Sequence, residues 1–294
     1  MRRLDIGICA YRDVDKLRRT VGHLRSSSVT DYRLLIVDNP AEGSQTRTYI
    51  EQLCREDDRI ECRFMAENVG YAGAVNEILS WSTTEYIGYL DHDAYVLTRG
   101  WDGMLCGYLD RFHEIGLIFP NGGAYPINRG PYTEVLWQAG FCWIMNRLCM
   151  SDLKTDGKTE RGEVMDTTLG HQEEADLAQR VRMAGWKCAA ASEVSVQHDA
   201  TATNNPASTE RISRGVVNWV NKWNRYFNGK NFNYHSVNVT RFEDWPPQAL
   251  YLEEYFRLHA PGINAKPRVR QIDGRAYDML EVPRYSGFYH GRVI

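Results

Sequence analysis

From Leu4 to Phe119 the chain alternates short apolar runs with amphipathic stretches, a rhythm that few folds accommodate. Leu4-Asp5-Ile6-Gly7-Ile8-Cys9-Ala10 reads as a buried strand. Residues 14–24 set Val14, Leu17, Val21 and Leu24 at helical spacing behind Asp13, a residue type suited to an N-cap. A second apolar run, Leu34-Leu35-Ile36-Val37, stops at Asp38-Asn39-Pro40. The pattern continues with a helix over 46–54, a strand over 62–65, a helix over 72–81, a strand over 86–90, a helix over 101–112 and a strand over 116–119. Repeated strand–helix–strand units predict an α/β fold with a parallel sheet. Such sheets gather ligands outside the carboxyl ends of their strands, which fall here at Ala10, Val37, Met65 and Leu90, each followed by polar residues.

Further along, residues 121–134 are rich in Gly, Pro and Asn and read as a loop, 139–145 as an apolar segment, and 151–170 as a polar, mobile loop. A strong helix is expected over 173–184, with strands over 187–191 and 194–197. After Ala200 the rhythm stops. The tail interleaves Trp219, Trp223, Tyr226, Phe227, Phe232, Tyr234 and Trp245 with Lys222, Arg225, Lys230 and Arg241. Charge divides at the same place: residues 1–200 carry 22 basic and 30 acidic side chains, a balance of −8, and residues 201–294 carry 13 and 8, a balance of +5. The expected organisation is a ligand-binding domain over 1–200 and a C-terminal aromatic and basic extension over 201–294. Three readings of that extension stand: a helical element packed on the first domain, a surface for an anionic or carbohydrate partner, or a membrane-surface contact. Interleaved aromatic and basic residues also suit single-stranded nucleic acid, a partner that the pI of about 6.3 disfavours.

No apolar run approaches the ~18 residues of a membrane span, and Met1-Arg2-Arg3 leads straight into a strand, so neither a transmembrane segment nor a signal peptide is expected. Seven scattered cysteines without a C-x-x-C pair suggest reduced thiols in a cytoplasmic protein, with peripheral membrane contact left open, and argue against zinc. The loop after the first strand, Ala10-Tyr11-Arg12-Asp13, lacks the G-x-G-x-x-G of a dinucleotide site, and no phosphate-binding P-loop motif occurs.

Several groups of residues are suited to chemistry. Asp91-His92-Asp93 follows the strand ending at Leu90, where two carboxylates one residue apart can address a hard divalent cation and a ribose together; Asp13-Val14-Asp15 repeats the spacing but reads as a helix N-terminus. Residues 67–76 form a strand-to-helix turn with small side chains at Gly70, Ala72, Gly73 and Ala74, fit either for close approach to an anion or for tight helix packing. Asp38 can bind a base or ribose, or cap a turn. Glu173, Glu174 and Asp176 open a helix, as dipole-favoured caps or as a rigidly mounted general base. His198 can be a structural residue, or a metal ligand joining Asp93 in a set that suits Mn2+ at least as well as Mg2+. Trp137 and Trp143 can stack on a sugar ring or pack in the core.

Taken in order, these residues resemble the family 2 glycosyltransferases of GT-A fold, in particular a rhamnosyltransferase-like branch, and the resemblance implies a Rossmann-like, mixed, mostly parallel sheet flanked by helices. The similarity spans residues 4–200 and rests on Ala10-Tyr11-Arg12, Ile36-Val37-Asp38-Asn39, Asn68-Val69-Gly70-Tyr71-Ala72-Gly73-Ala74-Val75-Asn76, Asp91-His92-Asp93 with Gly100-Trp101, Glu173-Glu174-Ala175-Asp176-Leu177 with Arg180 and Ala184-Gly185-Trp186, and His198. The resemblance implies a nucleoside-diphosphate sugar donor, with UDP the favoured nucleotide, held by Ala10, Tyr11, Arg12, Asp38, Asn68, Gly70, Asn76, Asp91 and His92. It implies a Mn2+ or Mg2+ ion on Asp93 and His198, with Asp91 beside it. The base is usually the second residue of a Glu-Asp pair, a position that falls here on Glu174, with Glu173 and Asp176 as alternates. Transfer by direct displacement, with inversion, would go to a hydroxyl of a glycan, lipid-linked or other acceptor near Trp137 and Trp143; a modified nucleic-acid base is a less favoured acceptor. Two other classes compete: a sugar nucleotidyltransferase, which usually has a glycine-rich loop that this chain lacks, and an inactive nucleotide-sugar or glycan-binding module.

Overall fold

The computed structural model describes residues 3–122, 126–135 and 138–199, positions 215, 218, 219 and 222, and the backbone of strands between 267 and 293. In chain order the elements are β1 (Leu4–Ala10), α1 (Val14–Ser27), β2 (Tyr32–Asp38), α2 (Thr46–Glu56), β3 (Ile60–Phe64), α3 (Gly70–Trp81), β4 (Tyr86–Leu90), β5 (Ala94–Val96), α4 (Trp101–Arg111), β6 (Ile115–Pro120), β7 (Ile127–Asn128), β8 (Thr133–Glu134), β9 (Cys142–Asn146), α5 (Arg147–Lys154), α6 (Glu173–Met183), β10 (Lys187–Ala191) and β11 (Val196–His198). Strands β12 (Pro267–Ile272), β13 (Arg275–Glu281) and β14 (Tyr289–Val293) follow.

The chain divides into two compact units, one of residues 1–167 with 173–204 and one of 168–172 with 205–294. The first is built on a nine-stranded sheet in the order β3-β2-β1-β4-β9-β6-β10-β8-β7. Strands β3, β2, β1 and β4 are parallel. Every residue of β1 and β4 is buried, as a parallel strand covered on both faces requires. Helix α3 packs closely on β1 because Gly7 has no side chain; a Cβ there would run into Ile78. Asp5, also buried in β1, is matched by Arg33 (3.0 and 2.9 Å), the Ser82 hydroxyl (2.7 Å) and the Thr83 N–H (3.0 Å), which together outweigh the effect of burial and hold its carboxyl below the usual range. Asp13 caps α1 as its position in sequence suggests, accepting the Asp15 and Lys16 N–H groups at 3.1 Å.

The apolar segment 139–145 contributes β9, antiparallel to both β4 and β6. The presumed loop 121–134 contains the short antiparallel pair β7–β8 at the sheet edge. Within 151–170, expected as a mobile loop, residues up to Lys154 belong to α5 and the next stretch is fastened to α6. A separate pair joins β5 to β11 antiparallel, with His198 opposite Ala94. The second unit holds the antiparallel sheet β12-β13-β14, which the sequence reading did not anticipate. Most of the aromatic and basic tail, Trp223 to Trp245, lies outside the described residues, among which no helix is long and apolar enough to cross a membrane.

Candidate active site

Four loops follow the carboxyl ends of β1, β2, β3 and β4. After β1, Arg12 sits at φ +62° and the Asp13 N–H returns to the Tyr11 carbonyl (2.8 Å), so the chain turns over three residues. The exposed Arg12 guanidinium lies 4.8 Å from the centre of the half-buried Tyr11 ring. Ala10 is buried beside Asp38 in register, and its carbonyl accepts the Asn39 N–H (2.9 Å).

Asp38, at the end of β2, is buried and accepts the Thr46 hydroxyl (2.7 Å); burial raises its pKa. Its neighbour Asn39, singled out in the sequence only as part of a matched string, ties the second loop to the third. It accepts the Val69 N–H (2.9 Å) and donates to the Gly70 carbonyl (3.3 Å). Asn68 accepts the Gly70 N–H (2.9 Å), and Gly70 adopts φ +74°, a conformation that favours glycine. Asn76 lies a turn further along α3, with its carboxamide engaged on the backbone of Met165 in both directions (2.8 and 2.9 Å). That engagement makes Asn76 a clamp on the 153–165 segment.

The Asp91-His92-Asp93 turn joins β4 to β5. Thr20 donates to the His92 carbonyl (2.7 Å), Asp91 N–H to the Phe141 carbonyl (2.8 Å), and Asp199 N–H to the Asp93 carbonyl (3.0 Å). The β5–β11 pairing brings His198 across, with Nε2 3.5 Å from Asp91 Oδ2 and 3.3 Å from Asp93 Oδ1. Ligand atoms of Asp91, Asp93 and His198 lie within 4.8 Å of one another. Two carboxylates and an imidazole are a donor set that suits Mn2+ and accommodates Mg2+. Lys16, which the sequence reading passed over, places its ammonium 3.5 Å from both Asp93 Oδ2 and Asp199 Oδ2 and donates to the Asp199 carbonyl (3.0 Å).

The charges here are unequal. Burial pushes the Asp91 carboxyl up to about 6, the neighbouring Asp93 adding to it. For Asp93 burial acts in the same sense, but His198, His92 and Lys16 outweigh it and hold the group below the ordinary carboxylate range. Burial opposes protonation of His198, yet Asp93 and Asp91 raise its pKa; burial lowers that of His92. Tyr89 donates to Asp91 Oδ1 (2.7 Å), and its ring stacks on the fully buried Trp143 and meets Tyr71 edge-on. Trp143 therefore exposes no ring face, and Trp137 lies outside the described residues.

Helix α6 brings the acidic cluster to this site. Glu173 and Asp176 are buried, whereas Glu174 stays partly exposed. Burial raises the Glu174 carboxyl to about 7, with Asp91 adding to the effect and Tyr71 and His198 opposing it. Its side chain packs on Gly140, whose carbonyl accepts the Tyr71 hydroxyl (3.3 Å).

A model of the family described as "Glycosyl transferase family 2" matches residues 5–155. Among solved structures, the chain is similar to the mannosyltransferase PcManGT from Pyrobaculum calidifontis in complex with GDP-Man and Mn2+ (TM-score 0.59, 12% identity, 88% of this chain and 77% of that one). It is also similar to S. aureus TarS 1–349 in complex with UDP-GlcNAc (TM-score 0.53, 13% identity, 98% of this chain and 99% of that one). GalNAc-T7 with UDP, GalNAc and Mn2+ gives a TM-score of 0.57 at 13% identity, over 94% of this chain and 62% of that one. These are likenesses of GT-A fold. No curated protein matches the sequence.

Proposed function

The chain belongs to glycosyl transferase family 2 and is a glycosyltransferase, and we propose that it moves a sugar from a nucleoside-diphosphate sugar to an acceptor hydroxyl with inversion, using a divalent metal. The observation that carries this reading is the convergence of Asp91, Asp93 and His198 beside the partly exposed, proton-retaining Glu174. The nucleotide sugars in the PcManGT and TarS complexes, and the Mn2+ in those of PcManGT and GalNAc-T7, support the donor and metal classes.

In this reading Asp93 and His198 hold the ion, and Asp91 stands beside them facing the donor ribose. The ion, when bound, supplies positive charge to the departing nucleoside diphosphate. The loops carrying Tyr11, Arg12, Asp38, Asn68 and Gly70 hold the nucleotide, while His92 contributes to that wall. Glu174 takes the proton from the acceptor hydroxyl as it attacks the anomeric carbon from the face opposite the leaving group. A carboxylate with a pKa of about 7 is a stronger base than an ordinary one and is still largely ionised just above neutrality. The buried positions of Glu173 and Asp176 favour Glu174 for this role.

Incubation with UDP-, GDP- and dTDP-sugars and Mn2+ tests the reading: release of nucleoside diphosphate is expected, and release of pyrophosphate or of nothing would overturn it. Transfer of rhamnose would support the narrower rhamnosyltransferase-like placement. Glu174→Gln is expected to bind donor normally and to lower turnover by roughly 10²–10⁴. Near-normal turnover in that variant would move the base elsewhere.

A further inference from the structure

We propose that Gly140 and Phe141, the two residues leading into β9, are positioning residues that hold the metal ligands and the base in one frame. The inference rests on the reading of Asp91, His198 and Glu174 given above. The antiparallel β4–β9 register sets Cys142 opposite Leu90, so Asp91, just after β4, meets Phe141, just before β9. There the Phe141 carbonyl accepts the Asp91 N–H at 2.8 Å. The Phe141 ring stacks on the His198 imidazole with centroids 4.9 Å apart and planes inclined by 17°. One residue thus fixes the backbone of one ligand and the ring plane of another.

Gly140 does the corresponding work for the base. Its φ is not among the positive values of the chain, so the backbone itself does not demand glycine. The space does: a Cβ at this position would collide with Glu174 Cγ and come within 2.6 Å of its Oε1. The Gly140 carbonyl also receives the hydroxyl of Tyr71, which borders the same carboxylate. Because both residues sit where a paired strand begins, the geometry of base and ligands is set by the sheet.

The test uses the full chain. Mn2+ binding is measured by the paramagnetic resonance signal of the free ion, beside kcat, donor KM and thermal stability. Phe141→Leu is expected to weaken Mn2+ binding by about tenfold, and Phe141→Tyr, which keeps a ring to stack, to restore it. Gly140→Ala is expected to leave Mn2+ affinity and donor KM near those of the parent while lowering kcat by at least about tenfold. Adding Glu174→Asp to Gly140→Ala removes a methylene from the crowded carboxylate and is expected to recover part of that loss. Unchanged Mn2+ affinity in Phe141→Leu, or equal weakening in Phe141→Leu and Phe141→Tyr, would overturn the role of Phe141. Normal kcat in Gly140→Ala, or no recovery in the double variant, would overturn that of Gly140. Asp93→Asn separates the two levels: if it too binds Mn2+ normally, the metal reading has failed and the proposal with it; if it loses the ion while Phe141→Leu does not, only the positioning role has failed.

Discussion

Glu174 costs the fold stability at the pH where it would be most useful. The folded protein holds its proton up to about pH 7, whereas the free side chain releases it near 4.5. Stability linked to this group is therefore fully present below about 4.5 and is lost as pH rises through 7. The loss is of order 1–3 kcal/mol once partial exposure is taken into account. Glu174→Gln in the metal-free protein should accordingly raise the melting temperature at pH 8 and leave it nearly unchanged at pH 4. Turnover should run the other way, falling as pH drops because only the ionised carboxylate accepts a proton, with its midpoint below 7 in the metal-loaded enzyme because the cation favours the ionised form. Equal melting shifts at both pH values would show that the carboxyl titrates normally. Asp38 is buried at the end of β2. Its place at a strand end was visible in the sequence, but its engagement with Thr46 was not, because such a bond depends on how the following loop folds back.

At the scale of elements, α6 depends on a partner that periodicity cannot identify. Arg180 is fully buried and bonds to Asp156 (2.7 and 3.2 Å) and to the carbonyls of Leu153 (2.6 Å), Glu163 (3.0 Å) and Val164 (2.6 Å). Asn76 holds Met165 from the other side. A stretch that reads as a loop by composition is thereby anchored between α3 and α6, and the helix bearing Glu174 is anchored with it. Arg180→Met leaves Asp156 and three carbonyls without their partner and should cost about 3–5 kcal/mol in a urea titration. A loss below about 1 kcal/mol would show that the segment has other supports. Strands β1, β2 and β4 were legible because a strand buried on both faces is a continuous apolar run between helical periods; β3, a half-buried edge strand of sequence Ile60-Glu61-Cys62-Arg63-Phe64, has no such run, and its expected span of 62–65 falls two residues late at its start. The direction of β9 was not legible, since an apolar run carries no sign of which way its neighbours point, and the β5–β11 pair was too short to announce a partner. The tail read as aromatic and basic, a composition that hides the β12–β13–β14 pairing; the local signal for its first hairpin is Asp273-Gly274, a two-residue turn pair lying between the paired Ile272 and Arg275.

For the whole molecule, the candidate site lies at strand ends and the apolar core lies beneath it, so the fold should stand without the metal and gain stability from it only by mass action. The candidate ligands Asp91, Asp93 and His198 were each visible in the sequence; their convergence follows from topology. Mn2+ at a hundredfold excess over its dissociation constant should add about 2.7 kcal/mol, and so raise the melting temperature by several degrees. Chelation should reverse the shift without unfolding the protein, and Asp93→Asn should abolish it. A chelator that unfolds the chain would make the ion structural. The β5–β11 pair also sets a clock. Its strands are separated by roughly a hundred residues of sequence, a large loop to close in any folding chain. During synthesis β1 to β4 can assemble while β5 still has a bare edge and the aspartates have no imidazole. If Asp91, Asp93 and His198 hold the ion as proposed, its full ligand set exists only once translation has passed His198, and an abortive fragment ending before that residue would keep two of the three ligands and bind the ion more weakly.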